Sequence, residues 1–136
     1  MHSPNQLWKH CQHVYQMARH PKEPEVSREL REGELIAPFY NKDKKLVAFI
    51  SFTPVNDVTA HLDCCYVLPE YQGKGIATFL LTQLLKKCPN VFAETGNIIA
   101  KELYLKLGMY VQYKPYISMS METTNSPDNK EELIDG

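Results

Sequence analysis

The chain has 136 residues, 43% of them apolar and 23% charged, with a formal net charge of -1. That length suits one domain with a packed core, and the near-neutral charge excludes the strong basic excess of a general nucleic-acid binder. The polar start MHSPNQLWKHCQHVYQ lacks the apolar run of a signal peptide, and no stretch approaches the ~20 apolar residues that span a bilayer, so a cytoplasmic protein without a membrane partner is expected.

Ser3-Pro4 is a helix-start signal, a capping hydroxyl followed by a proline suited to the first turn. Leu7, Cys11, Val14, Tyr15 and Ala18 then recur at helical spacing until His20-Pro21. A second short helix is expected over about 24–32, with Gly33 as its stop. The pattern then changes to strands. Residues 35–40 and 45–52 flank the polar turn Asn41-Lys42-Asp43-Lys44 and read as an antiparallel hairpin. A third strand follows over 58–67 and ends at Leu68-Pro69. A long helix is expected over 75–87, because Ile76, Phe79, Leu80, Leu84 and Leu85 share helical spacing. A short apolar strand at 91–93 comes next, then a helix over 98–107 with Gly108 as its C-terminal glycine. Two last strands are expected at 109–113 and 116–121. The tail from Thr123 carries four acidic residues against Lys130, and its composition predicts disorder. The domain is therefore assigned to 1–122 and the tail to 123–136.

The four cysteines are Cys11, Cys64, Cys65 and Cys88. Alternation along the strand sets Asp63, Cys65 and Val67 on one face, and Cys64 and Tyr66 on the other. Cys64 and Cys65 are thus poorly placed to bridge, and all four read as reduced thiols. His10, Cys11 and His13 lie within one helical turn without a second cluster, so no metal site is expected.

The informative segment is Tyr66-Val-Leu-Pro-Glu-Tyr-Gln-Gly-Lys-Gly-Ile-Ala77, a glycine-rich turn between a strand end and a helix start. The first N–H groups of a helix have no intrahelical partner, and the helix dipole adds about half a positive charge there. Gly73 and Gly75 let the backbone bend and approach a phosphate, and Lys74 adds a positive charge. The segment is neither G-x-x-x-x-G-K-[ST] nor G-x-G-x-x-G, since Thr78 stands where a third glycine would be. Taken alone, a G-x-G before a helix also fits a tight turn that uses its glycines for geometry.

The longer string QGKGIA matches the acyl-coenzyme-A-binding pattern [QR]-x-x-G-x-[GA] through Gln72, Gly75 and Ala77. Asn97-Ile-Ile-Ala-Lys-Glu-Leu-Tyr104-Leu-Lys-Leu-Gly108-Met109 resembles N-x-x-A-x-x-L-Y-x-K-x-G-F, with Met109 in place of phenylalanine. On these two segments the chain resembles the GNAT superfamily of N-acetyltransferases. The resemblance follows the element order from about residue 5 to 122.

The resemblance implies an α/β (α+β) fold with a mixed, mostly antiparallel sheet. The sheet splays between the strands ending near Val67 and Ala93 and is flanked by about four helices. It implies acetyl-coenzyme A as cosubstrate, held by Tyr66, Val67, Gln72, Gly73, Lys74, Gly75, Ile76, Ala77, Thr78 and Asn97. A backbone N–H near Val67 would polarise the thioester carbonyl, and a neutral amine would attack it directly. Tyr104 would protonate the leaving thiolate; periodicity alone reads it as a core tyrosine beside Leu103 and Leu107. Asn97 would bond the pantetheine amides, or act as an ordinary helix cap. Glu94 is the preferred general base, with Asp63, His61 or a water chain as alternatives. The acceptor is an amine of a small molecule or peptide. A non-catalytic coenzyme-A-binding module, serving as a sensor or assembly subunit, is the rival reading. One departure stands out: the family's usual first strand has no room before the first helix. The sheet edge so exposed would be covered by a homodimer partner or by an N-terminal helix.

Overall fold

The computed structural model describes residues 4–23 and 28–115. Its elements run α1 (Pro4–Arg19), β1 (Leu35–Tyr40), β2 (Leu46–Pro54), β3 (Thr59–Val67), α2 (Ile76–Lys87), β4 (Asn90–Thr95), α3 (Ile98–Lys106) and β5 (Tyr110–Tyr113). They fall into two compact units that divide between Val91 and Phe92. The strands pair both ways, which makes the fold a mixed α/β one: β1–β2 and β2–β3 are antiparallel, whereas β4–β5 is parallel. No helix among the described residues is long and apolar enough to cross a membrane.

In the first unit, β2 is the central strand, and Leu46 to Ser51 are all buried. A strand covered on both faces reads as a continuous apolar run, which is what Leu-Val-Ala-Phe-Ile provides. Val47 and Phe49 join Trp8, Cys11, Val14 and Tyr15 of α1 in one core cluster. Trp8 meets Phe49 edge-on at 5.6 Å between ring centroids. Truncating a fully buried phenylalanine such as Phe49 to alanine costs about 3–5 kcal/mol. α2 also packs on β2, and its Phe79 meets Phe39 of β1 at 5.9 Å. Among the described residues, α1 is the first element and no strand precedes it.

The second unit holds most of β4, then α3 and β5. Asn97 caps α3, its side-chain oxygen accepting from the N–H groups of Ile99 and Ala100 at 2.9 and 3.0 Å. Gly108 closes the helix at φ +91°, a left-handed turn that glycine adopts without a Cβ penalty. β4 begins within the first unit, where the Asn90 N–H donates to the Val58 carbonyl at 3.0 Å.

One expectation is corrected. The helix expected over 24–32 is absent from 28–32, which are irregular; 24–27 lie outside the described residues. The reason is competition for the Arg28 carbonyl. It accepts from Trp8 Nε1 at 2.8 Å and from Gln12 Nε2 at 3.2 Å, which occupies the group a helix would need. The guanidinium of Arg28 sits 4.8 Å above the Trp8 ring and fixes the segment further.

The pairing of β3 with β2 runs Ser51↔Cys64 and then Phe52↔Leu62, so Asp63 has no Cα partner. Burial alternates through this register shift, with Ala60, Leu62 and Cys64 buried and His61, Asp63 and Cys65 partly exposed, and Cys64 and Tyr66 face one core cluster as expected. Asp63 and Cys64 both reach the 28–34 segment, through Arg31 and Arg28 respectively. The strand expected at 116–121 and the tail from 123 lie outside the described residues.

Candidate active site

The turn between β3 and α2 is built in three steps. Leu68 is buried, and its N–H donates to the Val47 carbonyl at 2.9 Å, which anchors the strand end to β2. A 3-10 turn over Pro69–Tyr71 follows. Gln72 then folds its side chain back, and its Nε2 donates to the Val67 carbonyl at 3.0 Å. That bond gives Gln72 a physical role at its pattern position: it closes the turn on the strand.

Gly73 and Gly75 both sit at positive φ, +79° and +84°. Gly75 is the N-cap of α2, and no side chain caps that helix. A Cβ at either glycine would meet nothing within 4 Å, so backbone conformation rather than space selects glycine here. The N–H groups of Ile76, Ala77 and Thr78 lie in the first helical turn, where no intrahelical acceptor exists. Gln72 to Gly75 and Thr78 are exposed, and Lys74 stands beside the turn. The arrangement is an open, positively polarised helix start, suited to an anion.

Along β3, hydrogen-bonding direction alternates. The Leu68 N–H faces β2, so the Val67 N–H faces the opposite edge of β3. That is the direction an oxyanion donor there requires. Tyr66 contributes no side chain to that edge. Its ring packs on Tyr15 and Phe49 at 5.5 and 6.0 Å, and burial pushes its phenol well above the ordinary range.

The remaining predicted residues lie in the second unit. Tyr104 is the one buried residue of α3, 7% exposed, and its carbonyl accepts from the Met109 N–H at 3.0 Å. Asn97 has its side-chain oxygen committed to the cap, which leaves its amide nitrogen as donor. Glu94 lies on β4 with its side chain 56% exposed, 3.9 Å from Lys114. His61 and Asp63, in the first unit, are hydrogen-bonded to each other at 2.9 Å.

A buried polar network passed unnoticed in the sequence. The Glu34 side chain is fully buried and accepts from Arg28 at 3.0 and 2.6 Å, from Ser51 Oγ at 2.5 Å and from the Arg31 N–H at 2.9 Å. Burial raises its carboxyl, but the bonds from Arg28, Ser51 and Arg31 outweigh that and hold it below the ordinary glutamate range. Arg28 also donates to Cys64 Sγ at 2.9 Å. Ser51, polar within the apolar run of β2, was the available signal. The four cysteines are free thiols. Burial, and then the neighbouring Cys64, push Cys11 up to about 12, which makes it unreactive. Among the described residues, no group of three or more His, Cys, Asp or Glu could hold a metal ion.

The family model described as "Acetyltransferase (GNAT) family" matches residues 4–109. Solved structures share the fold. The ribosomal-protein-S18-alanine N-acetyltransferase of Escherichia coli matches with TM-score 0.59 and 24% identity, over 74% of this chain and 69% of that one. The aminoglycoside antibiotic 6'-N-acetyltransferase AAC(6')-Ih of Acinetobacter baumannii matches with TM-score 0.56 and 19% identity, over 87% and 97%. An acetyltransferase of Trypanosoma brucei matches with TM-score 0.50 and 19% identity, and this chain spans 66% of its length. No curated protein matches by sequence. With its matched region running from α1 through α3 to Met109, the chain carries an acetyltransferase domain and belongs to the acetyltransferase (GNAT) family.

Proposed function

We propose that the chain transfers the acetyl group of acetyl-coenzyme A to an amine of a small molecule or a peptide. The observation that carries this reading is the open helix start at Gly75. Its N–H groups, the two positive-φ glycines and Lys74 together form a cradle for the pyrophosphate of coenzyme A. The position of Gln72, folded onto Val67, supports the match of this turn to the acyl-coenzyme-A pattern. Structural neighbours are named for amine acceptors, an alanine of a ribosomal protein and an aminoglycoside, which supports an amine here too.

In this reading the Val67 N–H donates to the thioester oxygen as it gains charge. A neutral amine attacks the carbonyl carbon, and holding both substrates together supplies the proximity. The C–S bond breaks, and the Tyr104 hydroxyl gives its proton to the sulfur. Asn97 contributes its amide nitrogen to the pantetheine arm.

The experiment is thiol release from acetyl-coenzyme A with a panel of primary amines, peptides and polyamines, beside a thermal shift with acetyl-coenzyme A alone. Stabilisation by the ligand and release with at least one amine are expected. Stabilisation without release from any acceptor would favour the non-catalytic coenzyme-A-binding module. Neither response would overturn both readings.

A further inference from the structure

The end of β1 grips the glycine turn on both sides. Gly73 and Gly75 carry no side chains, and a Cβ at either would meet nothing within 4 Å, so packing does not shape the turn itself. Two glycines at positive φ also widen the range of conformations open to it. Its shape is therefore set at its flanks. Ahead of the glycines, Asn41 Nδ2, one residue beyond β1, donates to Tyr71 Oη at 2.9 Å. Behind them, Phe39 of β1 meets Phe79 in the first turn of α2 edge-on. The two contacts straddle residues 72–78.

The Asn41 bond is the directional one. Asn41 Oδ1 accepts from the N–H groups of Asp43 and Lys45, both at 2.9 Å, which fixes the way the amide points. The β1–β2 turn is closed without Tyr71. The Asn41 N–H donates to the Lys45 carbonyl and the Lys44 N–H to the Asn41 carbonyl, each at 2.9 Å. The Nδ2 bond comes on top of these and crosses 30 positions to the residue just before Gln72. Tyr71 is held locally as well: its N–H donates to the Leu68 carbonyl at 2.8 Å, and its ring packs against the cluster that contains Trp8 and Phe49. Its hydroxyl is the part that the hairpin holds.

We propose that Asn41 and Tyr71 are positioning residues for acetyl-coenzyme A, their hydrogen bond holding the glycine turn ready for the pyrophosphate; this rests on the proposed binding at Gly75. A turn free to sample other shapes must be ordered by its ligand, and that ordering is subtracted from affinity. With the turn held in advance, the N–H groups of Ile76, Ala77 and Thr78 already converge when the ligand arrives. The bond acts on binding and not on the chemical step, so its loss separates KM from kcat.

The test compares wild type, Tyr71→Phe, Asn41→Ala and the double variant. It measures the acetyl-coenzyme A Kd, KM and kcat with the best amine of the panel, and trypsin cleavage after Lys74 in the free protein. Tyr71→Phe removes only the hydroxyl, so the melting temperature should barely move. Its Kd and KM for acetyl-coenzyme A should rise about fivefold, the size of one hydrogen bond, with kcat within about twofold. Cleavage after Lys74 should quicken, and saturating acetyl-coenzyme A should return it to the wild-type rate. The double variant should bind no more weakly than Asn41→Ala alone, because the bond is already gone. A Tyr71→Phe that keeps the wild-type Kd, or two losses that add, overturns the assignment and leaves acetyl-coenzyme A binding standing. A loss in Tyr71→Phe without one in Asn41→Ala gives the hydroxyl a direct ligand contact and overturns it too. Should Asn41→Ala fail to fold, the Kd and cleavage rate of Tyr71→Phe decide. Absence of binding by wild type overturns the reading at Gly75, and the positioning role with it.

Discussion

Two irregular segments adjoin β3, and they treat their polar groups in opposite ways. In the segment 28–34, side chains meet the polar groups: Glu34 accepts four bonds, and the Arg28 carbonyl accepts two. In the turn 72–78, Gln72 closes one end and the helix start beyond it is left without a side-chain cap. Satisfied polar groups hold a fold in place, and open ones wait for a ligand. Substitutions in the first segment should therefore move stability, and substitutions in the second should move acetyl-coenzyme A binding.

The largest effect is expected at Glu34. Glu34→Gln removes the charge that compensates a partly buried Arg28 and should cost about 3–5 kcal/mol in urea unfolding. The folded protein should keep its acetyl-coenzyme A Kd. A matching loss of affinity would show that the two segments are not separable. The same carboxyl gives a pH prediction. It is held low in the folded state, so its stabilisation is complete above the ordinary glutamate range and is lost as pH falls below that range and through the lowered folded-state value. Urea midpoints measured between pH 7 and pH 3 should fall more steeply for wild type than for Glu34→Gln.

Tyr104 sharpens the comparison, because it is buried like the first segment yet assigned to chemistry. Tyr104→Phe keeps the ring, so the melting temperature should barely change. Turnover should fall about 10²-fold, or about 2.7 kcal/mol in the barrier, with a much smaller shift in Kd. Weak binding with turnover intact at saturation would return Tyr104 to a packing role.

At Gly75 the prediction reverses that for Glu34. A ligand at a hundred times its Kd stabilises the folded state by about 2.7 kcal/mol. Gly75→Asp should abolish most of that stabilisation, because it sets a negative charge beside the pyrophosphate and strains a φ of +84°. Gly75→Ala carries the strain without the charge, so the difference between the two variants isolates electrostatics.

The smallest effect is expected at Asn97, which caps its helix as 28–34 satisfies its own groups. Asn97→Ala should cost about 1 kcal/mol of stability. An affinity loss larger than the stability loss would show that its amide nitrogen meets the pantetheine.

The sequence made the open segment easier to read than the closed one. The glycine turn carries its chemistry in consecutive residues, Gln72 to Ala77, and a helix start needs no distant partner to be polarised. The α2 boundaries and the β1–β2 hairpin followed for the same reason, since periodicity and turn residues are local. The 28–34 segment failed because its structure is set by residues far along the chain. Trp8 and Gln12 take the carbonyl of Arg28, and Ser51 and Glu34 meet across 17 positions. Trp8 was itself left out of the expected buried face of α1. The skipped residue in β3 was equally hidden. Nothing within Leu62-Asp63-Cys64 announces it, because a register shift belongs to the pair of strands. The alternation of β3 was legible all the same, since Cys64 and Tyr66 meet one core cluster while Asp63 stands outside it.

The most direct test of the central claim is an amide chemical-shift titration of the protein with acetyl-coenzyme A. Saturable shifts should be largest at the N–H groups of Gly73 to Thr78, with those of Arg31 and Glu34 nearly still. Saturation that leaves Gly75, Ile76 and Ala77 in place while other amides move would contradict the claim that this open helix start holds the pyrophosphate.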